Sequence, residues 1–189
     1  MKKILLASSS PRRKLLLDEA GYDFDIIKSD ADENIDVSEP SLLVRELAVI
    51  KACGGAKNAS GDCYVIGADT VVCIGKRILG KPKTKRQARL MLKLLSGRRH
   101  FVYTGVCVFD TGDARMICKY DRSEVNFKNL TNKQIRDYVD TGEPMDKAGA
   151  YAIQGGAGLF VKNITGEMDN IIGLPMKTLS DIFAELEDM

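Results

Sequence analysis

Ser10-Pro11-Arg12-Arg13 follows an apolar run, Ile4-Leu5-Leu6-Ala7, and precedes Leu15-Leu16-Leu17. Serine and proline are ordinary helix-start residues. The charges, however, are reversed. Two arginines stand in the first turn and Asp18-Glu19 in the last. The helix dipole favours the opposite arrangement, at a cost of about 0.3–1 kcal/mol per misplaced charge. A strand-to-helix turn with free N–H groups and two guanidinium forks is a receptor for phosphate. The plainer alternative is a solvated basic turn.

Asp69 interrupts Val65-Ile66-Gly67-Ala68-Asp69-Thr70-Val71-Val72, which otherwise reads as a central strand. A buried, unpaired carboxylate is expensive, so Asp69 must meet a cation, a metal or water. Capping a turn at a strand end is the competing role, weakened because apolar residues continue to Ile74. Lys51 lies at helical spacing over Val44, Leu47 and Ala48, where a lysine either snorkels to solvent or lines a cleft. Lys81, in Leu79-Gly80-Lys81-Pro82, sits in a tight turn after a strand, a position where most lysines are simply solvated. Glu33, among Asp30, Asp32 and Asp36, offers carboxylates for Mg²⁺ or Mn²⁺, which need only one or two of them plus phosphate oxygens. A solvated acidic loop is the alternative. Gln154, before Gly155-Gly156, could read a base edge. No Walker A pattern is present, and His100 is the single histidine, so nothing else supports a Ser/His/Asp triad.

Elements that could position these residues alternate along the chain. Residues 3–8 read as a buried strand, 11–20 as a helix and 22–28 as a strand; 29–40 are acidic and irregular. Residues 41–57 read as a helix and 64–74 as a long β-branched strand. Residues 84–95 form a helix with Ala88, Met91, Leu92 and Leu95 on one face. Residues 101–109 and 116–127 flank Thr111-Gly112-Asp113, a hairpin signal. A short helix over 131–140 begins with a threonine cap. Residues 150–162 are apolar and glycine-rich, and Leu179, Ile182, Phe183 and Leu186 give a last helix its core stripe. The pattern predicts an α/β fold, a mixed sheet flanked by helices on both faces. A second lobe around residues 100–165 is not separated by composition, so one domain over 1–189 is expected.

With 44% hydrophobic and 29% charged residues the chain suits a soluble globular protein. A net charge of +2 is too small to attract nucleic acid or membrane by its overall field. Five dispersed cysteines (53, 63, 73, 107, 118) without a CxxC pair argue against disulfides or a zinc site. Cys73, Cys107 and Cys118 read as core thiols. The apolar stretch near the N-terminus is too short for a signal peptide, and no segment reaches a membrane span, so a cytoplasmic protein is expected.

In order and spacing these residues resemble the Maf family of nucleoside triphosphate pyrophosphatases along the whole chain. The matching segments are Leu6-Ala7-Ser8-Ser9-Ser10-Pro11-Arg12-Arg13, Asp32-Glu33, Leu47-Ala48 with Lys51-Ala52, Ile66-Gly67-Ala68-Asp69-Thr70, Leu79-Gly80-Lys81-Pro82, Leu95-Ser96-Gly97 with His100, Thr104-Gly105, Asp146-Lys147-Ala148-Gly149-Ala150-Tyr151 with Ile153-Gln154-Gly155, and Gly173-Leu174-Pro175. No single segment is specific; together they are.

The resemblance implies two closely packed lobes with a cleft between them, a homodimer, and hydrolysis between the α and β phosphates with a divalent metal. Asp69 matches the family's proton acceptor. Arg12, Thr70 and Gln154 match the positions that separate subfamilies, and the set Arg, Thr, Gln is similar to the dTTP/UTP branch. Expected roles follow. Ser8, Ser10, Arg12 and Arg13 hold the phosphates. Lys51 and Lys81 offset charge on the leaving pyrophosphate. Glu33 with Asp69 holds the metal, and Asp69 activates water directly or through it. Asp69 and Thr70 point to opposite faces of a regular strand, so joint contact with substrate would need the strand to end or twist, as Gly67 hints. The expected activity extends to a house-cleaning role against non-canonical nucleotides. Other classes remain: a pyrophosphatase for other modified nucleotides, a phosphatase releasing inorganic phosphate, or a non-enzymatic cell-division regulator or nucleic-acid-binding protein.

Overall fold

The computed structural model describes residues 2–188. Seven strands form one mixed sheet flanked by helices. The strands are β1 (Lys3–Leu6), β2 (Phe24–Ile26), β3 (Cys63–Ile74), β4 (Arg77–Leu79), β5 (Arg99–Asp110), β6 (Arg115–Phe127) and β7 (Val161–Thr165). The helices are α1 (Pro11–Glu19), α2 (Pro40–Ala56), α3 (Lys85–Leu95), α4 (Asn132–Asp140), α5 (Met168–Ile172) and α6 (Met176–Glu187).

Two compact units share the chain. The first comprises residues 1–69, 104–121 and 173–189, the second 70–103 and 122–172. In the first, the strand order is β2-β1-β3-β5-β6, with β1 parallel to both β2 and β3. Leu5, Ala7, Cys63 and Val65 form one apolar cluster there; Ala48, Ala52 and Cys107 form another. In the second, the order is β7-β6-β5-β3-β4, with β4 and β7 antiparallel to their neighbours. Its core gathers the α3 stripe, Ala88, Met91, Leu92 and Leu95, with Phe127, Ile135, Tyr138, Tyr151 and Phe160.

Helix α2 lies at backbone contact with the sheet, and two glycines allow it. A Cβ on Gly67 would stand 2.2 Å from the Ala48 carbonyl oxygen, and one on Gly105 would stand 2.2 Å from that of Val44. Gly67 therefore serves the close approach of α2. It does not end the strand: β3 runs unbroken through Asp69 and Thr70 to Ile74. That corrects the expectation of a break at this point.

Most expected elements are present, with ends displaced by a residue or two. The strand expected over 3–8 ends at Leu6, although Ala7 still donates to Ile66 O at 2.8 Å, and that over 22–28 shrinks to three residues. Thr84 and Thr131 are caps, and Thr131 completes a capping box with Gln134. Strands β4 and β7 and helix α5 were not expected. All five cysteines are free; Cys73 and Cys107 are buried, whereas Cys118 is half-buried, not a full core thiol.

Candidate active site

Ser10 is the N-cap of α1, with extended φ/ψ of −68° and 116°, yet its side chain makes no cap bond and the first turn holds no acid. Its backbone N–H donates to Ser8 Oγ at 3.2 Å. Ser8 Oγ also accepts from Arg13 Nη1 at 3.1 Å, while Arg13 Nε donates to the Gly173 carbonyl at 2.8 Å. The Arg13 side chain is thus buried and aimed by two fixed oxygens. Burial pushes its guanidinium down from its ordinary value, and Asp69 and Glu33 push it back up. Arginine remains charged under such conditions. Arg12, its neighbour on α1, is half-buried.

Lys51 neither snorkels nor stands alone. Its side chain is 14% exposed, and Nζ lies 2.5 Å from Asp69 Oδ1 and 3.1 Å from Glu33 Oε2. Helix α2 puts Lys51 over the buried Val44, Leu47 and Ala48, and β3 brings Asp69 beneath it. The carboxylate inside the strand is therefore satisfied by a cation, as its burial demands. Glu33 reaches this pair alone among the four acids of its loop: Asp30 pairs with Lys28 at 2.7 Å, and Asp32 accepts from Asn34 N–H at 2.9 Å.

Three expected residues belong to the second unit. Thr70 is half-buried on β3, beyond Asp69. Lys81 is exposed after β4, in a turn whose Gly80 carbonyl accepts from Gly149 N–H at 3.1 Å. Gln154 is exposed in the loop before the 3₁₀ segment Gly156–Phe160. His100 is no triad member. It is fully buried, with Nε2 2.9 Å from Tyr151 Oη, and burial pushes it down to about 4. A surface cavity of about 350 Å³, lined by Arg86, Arg89, Leu90, Lys93, Asn132, Ile135 and Arg136, holds none of the expected residues.

Sequence reasoning missed two supports. Gly173 stands in a segment that carries the resemblance, but its carbonyl's bond to Arg13 left no signal, because the two residues are 160 apart in the chain. Tyr138 and Glu143, which tie the Gln154 loop, are also unmarked in the sequence.

Two carboxylates converging on one cation supply the hard oxygen donors that Mg²⁺ or Mn²⁺ favours. Among the described residues no group of three His, Cys, Asp or Glu side chains is placed to hold a metal, so substrate oxygens would have to complete the set. Basic groups on a helix N-terminus, a paired lysine and two acids are the kinds of group that phosphate-handling enzymes use.

The fold is similar to that of a HAM1 protein from Coxiella burnetii, with a TM-score of 0.52 and 17% identity over 98% of this chain and 100% of that one. Residues 3–186 match the family described as Maf-like protein, and the chain belongs to that family. It is 46% identical to a dTTP/UTP pyrophosphatase of Thermoanaerobacter sp. (strain X514) over 180 residues, 95% of this chain and 94% of the relative. A dTTP/UTP pyrophosphatase of Bacillus anthracis is 48% identical over 95% of this chain and 93% of its own.

Proposed function

We propose that this chain hydrolyses dTTP and UTP between the α and β phosphates, yielding the monophosphate and pyrophosphate. The observation that carries the reading is the Lys51–Asp69–Glu33 cluster: two acids on one ammonium, in a chain nearly half identical to proteins of that name. Ser8, Ser10, Arg12 and Arg13 hold the phosphate chain. Water attacks the α phosphorus in line as the bond to the bridging oxygen of pyrophosphate breaks. Asp69 accepts the proton of the attacking water. Lys51 and Lys81 offset the charge that collects on the leaving pyrophosphate. Arg12, Thr70 and Gln154 choose the base. Glu33 and Asp69 would hold a divalent cation, which supplies charge neutralisation and lowers the pKa of bound water. The reading extends to a homodimeric, cytoplasmic enzyme; no helix among the described residues is long and apolar enough to cross a membrane.

The test is a panel of dTTP, UTP, 7-methyl-GTP and ITP, with Mg²⁺ or Mn²⁺ and with chelator, measuring pyrophosphate and inorganic phosphate separately. Pyrophosphate from dTTP and UTP should lead and should require the metal. A lead for ITP or 7-methyl-GTP overturns the substrate. Phosphate as product overturns the bond assignment. No turnover of any nucleotide leaves a binding protein.

A further inference from the structure

Gln154 stands exposed in a stretch without regular secondary structure, between Tyr151 and the 3₁₀ segment Gly156–Phe160. A side chain that reads a base edge must be held in place, because discrimination depends on geometry. Two backbone amides flank it, one tied to Tyr138 of α4 and the other to Glu143, which opens the 3₁₀ segment Glu143–Asp146. Ala152 N–H donates to Tyr138 Oη at 3.1 Å. Tyr138 Oη donates to Glu143 Oε1 at 2.9 Å. The other oxygen, Glu143 Oε2, accepts from Gly156 N–H at 3.2 Å. One tyrosine and one carboxylate thus grip the loop on both sides of Gln154.

The clamp is itself braced. Tyr138 is buried and packs edge-on against Phe160, with ring centroids 5.2 Å apart. Glu143 N–H donates to Thr141 Oγ1 at 3.1 Å, and Lys147 Nζ donates to the Glu143 carbonyl at 3.1 Å. The loop has also given way to the clamp. A Cβ on Gly155 would lie 2.0 Å from Glu143 Oε1, so a larger residue there would expel the carboxylate. These ties end on either side of the exposed Gln154 and hold the backbone from which its side chain projects.

We infer that Tyr138 and Glu143 are positioning residues for base selection, which fix the loop that presents Gln154 to the nucleotide base. The inference rests on the base-reading role given to Gln154 above. Neither residue touches the phosphates in this reading, so the chemical step at Asp69 should be spared when either is changed.

The experiment combines amide hydrogen exchange over residues 152–156 with kcat and KM for dTTP and dGTP, in Glu143→Ala, Glu143→Gln, Tyr138→Phe and Gln154→Ala. In Glu143→Ala, exchange in the segment should accelerate about tenfold or more, KM for dTTP should rise about tenfold, and kcat should move less than about twofold. Preference for dTTP over dGTP should fall by about the same factor as in Gln154→Ala. Glu143→Gln keeps an acceptor oxygen and should recover most of the loss. Tyr138→Phe, which removes the Ala152 tie and the bond to Glu143 but leaves Glu143 on Gly156 N–H, should fall between and serves if Glu143→Ala fails to fold. Unchanged exchange overturns the clamp. A shift in base preference for Gln154→Ala but not for the clamp variants overturns the positioning role alone. If Gln154→Ala itself leaves base preference intact, the reading of Gln154 fails and this inference fails with it.

Discussion

Lys51 donates to Asp69 over 2.5 Å, from the apolar face of α2 to the middle of β3. The sequence shows each residue as an oddity, a lysine over buried aliphatic residues and an acid inside a strand. The structure makes each the answer to the other. Removing one partner from such a pair leaves a poorly solvated charge, whereas the pair is tolerated. Glu33, half-exposed, adds a second acid to the same ammonium.

Asp69→Asn keeps the shape and removes the proposed base. Pyrophosphate release from dTTP should fall about 10²–10⁴-fold, the usual cost of losing a general base. The melting temperature should change little, because Glu33 remains 3.1 Å from Lys51. Near-wild-type turnover would remove Asp69 from the chemistry.

Glu33→Gln tests the metal assignment. The Mg²⁺ concentration for half-maximal activity should rise on the order of tenfold, while turnover at saturating metal stays closer to wild type. An unchanged metal titration would mean that Glu33 serves only to hold Lys51.

Arg13→Lys probes the anchored guanidinium. Lysine has no planar fork, so it cannot reach Ser8 Oγ and the Gly173 carbonyl together. One buried acceptor is left short of a donor, at a cost of about 1–3 kcal/mol. Thermal unfolding should register that loss, and activity should fall with it. A variant as stable and active as wild type would show that Arg13 is replaceable by charge alone.

Burial holds His100 at about 4 in the folded protein, below its ordinary 6.5. Between these values the unfolded chain binds a proton that the folded protein does not, so stability rises with pH and is lost as pH falls from about 6.5 to 4. The full difference is worth at most about 3 kcal/mol. His100→Gln, which can still bond Tyr151, should flatten the dependence of unfolding free energy on pH in that window. Equal slopes for wild type and variant would mean that His100 does not carry it.

The parts legible in the sequence are those with a period or a cap. The α3 stripe is buried as its spacing requires, and Thr131 caps α4 where its position suggested. Strands β4 and β7 and helix α5 are only three to five residues long, too short to show a period, and each exists because a partner pairs or packs with it. The site divides in the same way. Arg12, Arg13, Lys51 and Asp69 declare themselves by charges in the wrong place. By residue type alone Glu33 cannot be told from Asp30, Asp32 and Asp36; the resemblance singles it out, and in the structure it is the one that meets Lys51. Tyr138 near the end of α4 and Glu143 at the start of the 3₁₀ segment Glu143–Asp146 carry no mark in the sequence, and their contacts with the Gln154 loop join residues 14 and 13 apart.

Gly67→Ala couples the fold to the site most directly. The added Cβ would meet the Ala48 carbonyl oxygen at 2.2 Å and the Ala52 backbone nitrogen at 2.5 Å. Both belong to α2, whose backbone cannot yield as a flexible side chain would. Overpacking of this kind costs about 1–3 kcal/mol or more, so the melting temperature should drop clearly. Lys51 rides on α2 and Asp69 on β3, two residues past Gly67. Pushing the helix off the strand should therefore lengthen the Lys51–Asp69 contact. Activity measured well below the variant's melting temperature should be reduced by more than the unfolded fraction explains. Full specific activity in the folded variant would show that the pair tolerates a displaced helix and that the close approach serves stability alone.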